Sequence, residues 1–393
     1  LKSYYTPATI KRRLRFKELT RSGVSLADFF EDLEYSLERI KSGNFDFNIT
    51  KKKDYFKLDD LVHKVILRQV NHRLKKTYKD YQSNRRLIIS QIVALLLQES
   101  EYYIIRSDVS SFYESIDKSL LLNKLKGDRI LNYESIYLIE KIFDNADIAP
   151  NGLPRGLSIS STLSEIYMRG FDKRIKQLEG VYFYARFVDD IIIFATTKDI
   201  QKEILRKIPD WLPKGLCINI KKTMLSSSSQ LMQGKCFEYL GYKFEIEKFT
   251  KKEFQPKISI AEKKLKKIKS RISYSFASYC KNGDFELLLK RIDFLSCNYV
   301  LRGGEKSKLM AGISYNYSKL THHSDLEELN SYYHKILNSV NNEFGIRIQA
   351  SLSLDQLNNL KKCSFKHRFK NKVVKKFTPE EILKIKKCWA HEN

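Results

Sequence analysis

Two adjacent aspartates in the middle of the most strand-prone stretch constrain the fold of this chain more than any other feature. Tyr182 to Ala195 reads YFYARFV, then Asp189-Asp190, then IIIFA. Aromatic and β-branched side chains suit a pleated surface and aspartate does not, so the run predicts two strands joined by a tight turn with acids at its tip. A solvated turn would also accept aspartate. A neutral hairpin turn, however, more usually offers Asn-Gly or Asp-Gly, and here both flanks are apolar. The expectation is a core hairpin that carries two mutually repelling carboxylates out of its buried arms.

Asp108 stands in the same kind of place, at the end of the apolar run YYIIRS, where a carboxylate needs a partner. Three carboxylates at the ends of core strands are a hard-oxygen ligand set of the kind that holds two Mg²⁺ ions, with Mn²⁺ as the alternative. Such a pair of ions serves phosphoryl chemistry by activating a hydroxyl and neutralising a triphosphate.

The formal net charge of +26 on 393 residues points to a polyanionic partner, because self-repulsion on that scale opposes compaction unless an opposite charge relieves it. Nucleic acid is favoured over an anionic membrane, since no long amphipathic or uniformly apolar segment accompanies the charge. With 42% hydrophobic and 12% aromatic residues, the chain has the means to bury a core. The first twenty residues are basic without an apolar stretch, so no secretory signal is expected. Cys217, Cys236, Cys280, Cys297, Cys363 and Cys388 form no C-x-x-C pair, which argues against a zinc module or a disulfide framework. A reducing cytoplasm fits best.

Four regions are expected. Residues 1–100 read as a basic, mostly helical N-terminal region: Leu58, Leu61, Val62, Val65, Ile66, Val70 and Leu74 recur at helical spacing, as do Leu87, Ile88, Ile92, Leu95 and Leu96. Residues 101–250 hold the strand-like runs, a loop marked by NGLPRG, a helix near Ser161 to Leu178, and a second hairpin in FEYLGYKFEIEKF (residues 237–249). Residues 251–345 open with a lysine-rich helix striped by Leu265, Ile268, Ile272 and Phe276, followed by a helix from Leu287 to Tyr299. Residues 346–393 form a basic tail in which Thr378-Pro379-Glu380-Glu381 is a helix start.

These segments together resemble reverse transcriptases. DVSSFYESID (Asp108 to Asp117) is similar to the family's first catalytic strand and turn, GLPRGLSISSTLSEIYM (Gly152 to Met168) to its template- and nucleotide-handling loop and helix, and YARFVDDIIIF (Tyr184 to Phe194) to its catalytic hairpin. LCINIKKT and FEYLGYKF follow in the family's order. The resemblance implies an α+β right-hand polymerase with helical fingers, an antiparallel-sheet palm and a helical thumb, acting as an RNA-directed DNA polymerase. It implies that Asp108, Asp189 and Asp190 bind the metal ions and that Lys222 stands near the pyrophosphate, with Lys221 an equally plausible solvated neighbour. Tyr113 falls at the steric gate that rejects a 2′-hydroxyl; core packing beside Phe112 is the plainer reading. Val109, Pro154, Arg155, Gly156 and Ser158 are implied around the incoming nucleotide, although most relatives carry Gln where Arg155 stands. Arg68, Arg85 and Arg86 are candidate cations for the triphosphate. Asp117 reads as the cap of a helix that starts at Lys118. The lysine-rich thumb helix reads as a tracker of a duplex backbone, or as a merely solvated charged helix.

Within the family, FYESID, RFVDD, RIDFLSCNYVL and GISYNY look most similar to prokaryotic antiphage enzymes of the abortive-infection and defence-associated groups, in particular the smaller polymerase of the type 3 defence-associated system. This implies a noncoding RNA template or scaffold, a DNA product that includes short repeats as an option, deoxynucleoside triphosphates as substrates, and a second reverse transcriptase subunit in a higher-order complex without a membrane. A retron-type RNA-primed enzyme and a protein-primed, template-independent DNA polymerase are alternatives on the same fold. A catalytically idle nucleic-acid-binding scaffold is the alternative from another class.

Overall fold

The computed structural model describes residues 4–15, 17–53, 55–79, 83–145, 148, 152–248, 254–304, 307–340 and 343–390. The chain divides into two compact units, Leu1–Ile88 with Ser100–Ser227, and Ile89–Glu99 with Ser228–Asn393.

The first unit is organised by an antiparallel sheet. After a short hairpin of β1 (Ile49–Lys51) and β2 (Phe56–Leu58) come β3 (Tyr103–Asp108), β4 (Val181–Phe187), β5 (Asp190–Ala195) and β6 (Met224–Ser227), the last four in the order β4-β5-β3-β6. Both inner strands, β3 and β5, are bonded along each edge, which explains why Ile191 to Ala195 are all fully buried and apolar. The Ser160–Lys176 helix packs on β4 and the Lys198–Trp211 helix on β3 and β5. Gln201 spans two strands, its amide donating to the carbonyls of Ile104 (2.7 Å) and Ser226 (3.0 Å).

Around the sheet the helices follow the apolar spacing. Leu61, Val62, Val65, Ile66, Val70 and Leu74 are buried along the Leu61–Tyr78 helix. Leu58, which shares that spacing, ends β2 instead, because the Asp60 carboxylate caps the helix by accepting from the His63 amide at 2.8 Å. Asp117 caps the Lys118–Gly127 helix in the same way, through the Leu120 amide at 2.9 Å.

In the second unit β7 (Phe237–Tyr239), β8 (Tyr242–Lys248) and β9 (Phe254–Ile260) form an antiparallel meander. Leu240 and Gly241 turn the first hairpin at φ +47° and +81°, the left-handed pair that a two-residue turn requires. The Glu262–Asn282 helix buries Leu265, Ile272 and Phe276 along its stripe. The next helix departs from the expectation: it runs Phe285–Ser296 and stops short of Tyr299. Residues 298–304 form β10, paired with β11 (Ser307–Gly312), and β12 (Val374–Lys375) joins β10 in parallel. Apolar periodicity does not separate a helix end from a strand start when aromatic and β-branched residues follow directly. Gly312 fixes the return of the hairpin, since at φ +120° a Cβ would lie 2.4 Å from the Asn298 Cα.

The last segment packs within this second unit. The Phe365–Lys370 helix lies on Ser324–Leu337, and Pro379–Lys387 lies on Phe285–Ser296. Thr378 and Glu381 form the capping box that their spacing predicts. Trp389 donates its indole N–H to the Arg271 carbonyl at 3.1 Å. Among the described residues, no helix is long and apolar enough to cross a membrane.

Candidate active site

The sheet of the first unit brings the three aspartates to one end. Asp108 and Asp190 stand opposite each other in the β3–β5 register. Phe187 pairs with Asp190 across β4 and β5, so Val188 and Asp189 are the whole turn. Val188 is left-handed at φ +61°, an unfavourable conformation for a β-branched residue that the surroundings must hold. Val109 ties the turn to β3, its amide donating to the Asp189 carbonyl at 3.1 Å.

The carboxylates are met by cations. Lys222 Nζ lies 2.8 Å from Asp108 Oδ2, and Arg106 Nη2 lies 3.3 Å from Asp190 Oδ1. Arg106 also donates to the Lys222 carbonyl at 3.1 Å. The turn that carries Lys222 is docked on β3 at two points, where the Asn219 amide donates to the Asp108 carbonyl at 2.6 Å and the Ser107 and Thr223 hydroxyls are 2.8 Å apart, and it is capped internally by the Asn219 side chain, which accepts from the Lys222 amide at 3.3 Å. Burial pushes the Asp189 carboxyl above its ordinary value, and the Asp108 charge adds to the effect. Burial likewise raises Asp190, with Arg106 opposing and the other two aspartates reinforcing.

Behind the turn lies a buried ion-pair network. The Arg186 side chain is 3% exposed. It pairs with Glu165 at 2.6 Å and Asp172 at 2.7 Å and donates to the Val188 carbonyl at 2.8 Å. Tyr184 completes the group by donating to Asp172 at 2.5 Å. A buried arginine satisfied on this many sides rigidifies its surroundings, and here it holds the carbonyl of the left-handed residue before Asp189.

The GLPRG loop is strapped on two sides. The Gly152 and Leu153 amides donate to the carbonyls of Ile116 (2.9 Å) and Tyr113 (2.7 Å), and the Arg155 carbonyl accepts from Phe56 at 2.6 Å. Gly156 has no room for a side chain, because a Cβ would lie 2.4 Å from the Phe56 carbonyl oxygen. Arg155 forms a two-pronged pair with Glu114, one prong at 3.0 Å, and its guanidinium lies 5.7 Å from the centre of the Tyr113 ring. Tyr113 is half-buried; burial raises its hydroxyl pKa, a hydrogen bond with Ser164 opposes this, and the Asp189 charge reaches it. Pro154 and Ser158 serve as backbone acceptors, for the Ser160 hydroxyl at 2.6 Å and the Asn71 amide at 2.8 Å.

Thus Asp108, Val109, Asp189, Asp190 and Lys222 converge, with Tyr113 and Arg155 within electrostatic reach of Asp189. The three finger arginines differ among themselves. Arg68 is engaged in a two-pronged pair with Glu18, both contacts 2.6 Å. Arg85 opens the Arg85–Leu96 helix, and Arg86 beside it is exposed. Sequence reasoning passed over Arg106, Arg186, Asn219 and Glu114. Arg106 was findable as the residue two before Asp108, hence on the same face of the strand, and Arg186 as a lone charge inside an apolar strand.

Residues 49–244 match the family described as reverse transcriptase (RNA-dependent DNA polymerase). This segment is a reverse transcriptase domain. The fold is accordingly the right-hand polymerase architecture, α+β, with the β4-β5-β3-β6 sheet as its palm. The reverse transcriptase family carries out RNA-directed DNA polymerisation with divalent metal ions. No curated protein matches the chain. Among solved structures it is similar to the apo telomerase of Candida tropicalis truncated from its C-terminal domain (14% identity, TM-score 0.37, covering 60% of this chain and 48% of that one). It is similar as well to the Candida albicans telomerase in complex with a TWJ fragment of telomeric RNA (14% identity, TM-score 0.36, 93% and 60%). A second apo telomerase structure from Candida tropicalis also matches (12% identity, TM-score 0.38, 83% and 57%). The chain spans between 48% and 60% of the length of these three telomerases.

For a reverse transcriptase domain the donor chemistry at the end of the palm sheet suits a divalent ion: the side chains that would hold it offer hard carboxylate oxygens, two opposite in register and one at the turn. Asp108 and Asp190 are turned toward Lys222 and Arg106, and among the described residues no three acid, histidine or cysteine side chains are already gathered as a coordination group.

Proposed function

We propose that this chain is an RNA-directed DNA polymerase that copies a noncoding RNA into DNA from deoxynucleoside triphosphates, within antiphage defence and together with a second reverse transcriptase subunit. The observation that carries the catalytic part is the Asp108–Asp190 register with Asp189 at the turn between the strands and Lys222 at hydrogen-bond distance from Asp108.

Asp108, Asp189 and Asp190 would hold two Mg²⁺ ions, or Mn²⁺, which when bound lower the pKa of an attacking hydroxyl and neutralise triphosphate charge. Lys222 supplies a positive charge next to Asp108 and a proton for the departing pyrophosphate. Tyr113 places a ring where the sugar lies and excludes a 2′-hydroxyl by collision. Val109 and the strapped loop from Pro154 to Ser158 shape the nucleotide pocket, and Arg155 grips phosphate or stacks on a base. Arg85 and Arg86 are the finger cations offered to the triphosphate; Arg68 joins them only by leaving Glu18. The antiphage setting, the noncoding RNA and the partner subunit are supported by the resemblance of FYESID, RFVDD, RIDFLSCNYVL and GISYNY, and the product includes short-repeat DNA as an option.

The test is to sequence the nucleic acid that co-purifies with the chain before and after Mg²⁺ and deoxynucleotides are added. A retained structured RNA with newly made complementary DNA is the expected result. DNA joined to tyrosine and lacking any complement would replace this reading with protein priming, and no extension with any template or partner would replace it with an idle scaffold.

A further inference from the structure

Arg106 touches two parts of the palm site at once. Its Nη2 lies 3.3 Å from Asp190 Oδ1, and its Nη1 donates to the Lys222 carbonyl at 3.1 Å. The sheet explains why an arginine reaches both. Arg106 sits on the inner strand β3, opposite Ile192 on β5 and Met224 on β6. Asp190 precedes Ile192 by two residues, and Lys222 precedes Met224 by two. Both are therefore diagonal neighbours of Arg106, at a separation that only long side chains span. A planar fork of N–H donors serves two acceptors in fixed directions, whereas an ammonium acts as a point charge on a flexible stem.

The guanidinium is a burden on the fold. The Arg106 side chain is 23% exposed, and its Nε is buried with no hydrogen-bond partner among the described residues. A buried donor left unbonded is destabilising, and a methionine of similar reach would not carry that penalty. Packing alone does not account for an arginine here, while the two acceptors it joins belong to the site.

A carboxylate that holds a metal ion is itself oriented by the hydrogen bonds it accepts from neighbouring side chains. We propose that Arg106 is a positioning residue of the polymerase site, whose guanidinium fixes the Asp190 carboxylate and the Lys222 turn relative to each other. The turn is docked on β3 through Asn219 and Thr223, and Arg106 adds a tie to β5 through Asp190. The inference rests on the reading of Asp190 as a metal ligand and of Lys222 as the cation near the pyrophosphate, and it names the side chain that keeps the two in register.

The test titrates Mn²⁺ into the full chain without nucleic acid, follows the free ion by electron paramagnetic resonance, and pairs each titration with a thermal melt. Arg106→Met should weaken Mn²⁺ binding by about tenfold to a hundredfold, the range for losing a partner that orients a metal ligand. The sign is decisive. Removing a positive charge from beside the site would by itself tighten the ion, so a weaker ion reports lost orientation. Arg106→Lys keeps the charge without the fork and should also bind Mn²⁺ more weakly, by roughly threefold to tenfold. In single-turnover extension of an oligothymidine primer on polyadenosine RNA, both variants should lose kcat with little change in KM for the nucleotide. Combined with Lys222→Met, Arg106→Met should reduce the rate by less than the product of the two separate losses, because both act through one turn. Mn²⁺ binding as tight as in the wild type, or tighter, in an Arg106→Met chain that melts cooperatively overturns the proposal. If that variant does not fold, Arg106→Lys decides by the same measurement. Rate losses that multiply in full overturn the link to Lys222. Asp189→Asn with Asp190→Asn should abolish the Mn²⁺ binding itself. If it does not, the metal reading fails; if it does while the arginine variants bind like the wild type, only the role of Arg106 is rejected.

Discussion

The acidic end of the palm and the basic cavity of the second unit gather like charges by opposite means. In the palm four carboxylates have a counter-charge built into the fold: Lys222 for Asp108, Arg106 for Asp190, and Arg186 for Glu165 and Asp172 behind the turn. In the cavity, Lys264, Lys267 and Arg271 share one helix face across from Phe294, Tyr299 and Tyr317. The first arrangement ties acids and cations to one another through the fold; the second sets cations beside aromatic rings along a single helix face. A site for bond-making needs its groups held within fractions of an ångström, whereas backbone contact along a charged helix tolerates slack. The difference predicts where substitution destroys rate and where it only weakens binding.

The largest effect should come from Asp189→Asn with Asp190→Asn. Primer extension should fall by at least roughly a thousandfold, about 4 kcal/mol of transition-state stabilisation, while RNA binding persists. Burial raises the pKa of both carboxyls, so each is ionised at a cost in the folded chain, and the neutral variant should melt no lower than the wild type. Single-turnover extension and a thermal melt measure the two halves; full activity, or collapse of the fold, would count against a palm built around these acids.

Arg186→Met comes next and separates counter-charge from positioning. It takes the Arg186 charge away from the partly buried Glu165 and Asp172, and breaking such a network costs up to about 3–5 kcal/mol. Adding Glu165→Gln and Asp172→Asn removes the stranded charges and should restore most of the stability. The rate should stay low, because the donor to the Val188 carbonyl is still missing and the left-handed turn before Asp189 is released. If the triple variant recovers both melting temperature and kcat, Arg186 is a fold element only.

How much of this was legible in sequence follows the range of the forces involved. The palm hairpin, the Asp117 and Thr378 caps and the stripe on the lysine-rich helix depend on neighbours within a few residues, and all were readable. The β10–β11 hairpin was not, because Leu287 to Tyr299 fits helical spacing until Asn298 and only the pairing with Ser307–Gly312 decides the outcome. Lys222 beside Asp108 was reachable only through a family pattern, since their contact joins positions 114 residues apart. The partners of Arg186 and Arg155 lie on other elements and carry no local mark.

Replacing Tyr113 by Ala should act on selection more than on speed. Its half-buried ring, held between Phe112 and the Arg155 guanidinium, is the proposed obstacle to a 2′-hydroxyl. Removing it should raise ribonucleotide incorporation relative to deoxynucleotide by about tenfold to a hundredfold, the range that steric pockets deliver. Competing the two nucleotides in one extension reaction reads the ratio directly, and an unmoved ratio assigns Tyr113 to packing.

The smallest effect concerns Glu114, whose exposed partner Arg155 makes it the counterpart of the buried Arg186 network. The hydrogen bond from Arg155 holds the Glu114 carboxyl below its ordinary value. A carboxyl depressed in the folded state contributes stability that is complete above its unfolded pKa and is lost as pH falls through the folded one. Because both side chains are more than half exposed, solvent screens the pair, and it should contribute no more than about 1 kcal/mol. Glu114→Gln should therefore melt only slightly below the wild type at neutral pH, and the gap should close in acid and in high salt. With the guanidinium released from its carboxylate, the same variant should alter KM for the incoming nucleotide more than kcat. A gap that stays constant across pH would show that the pair does not titrate as an ion pair, and an unchanged KM would place Arg155 outside the nucleotide pocket.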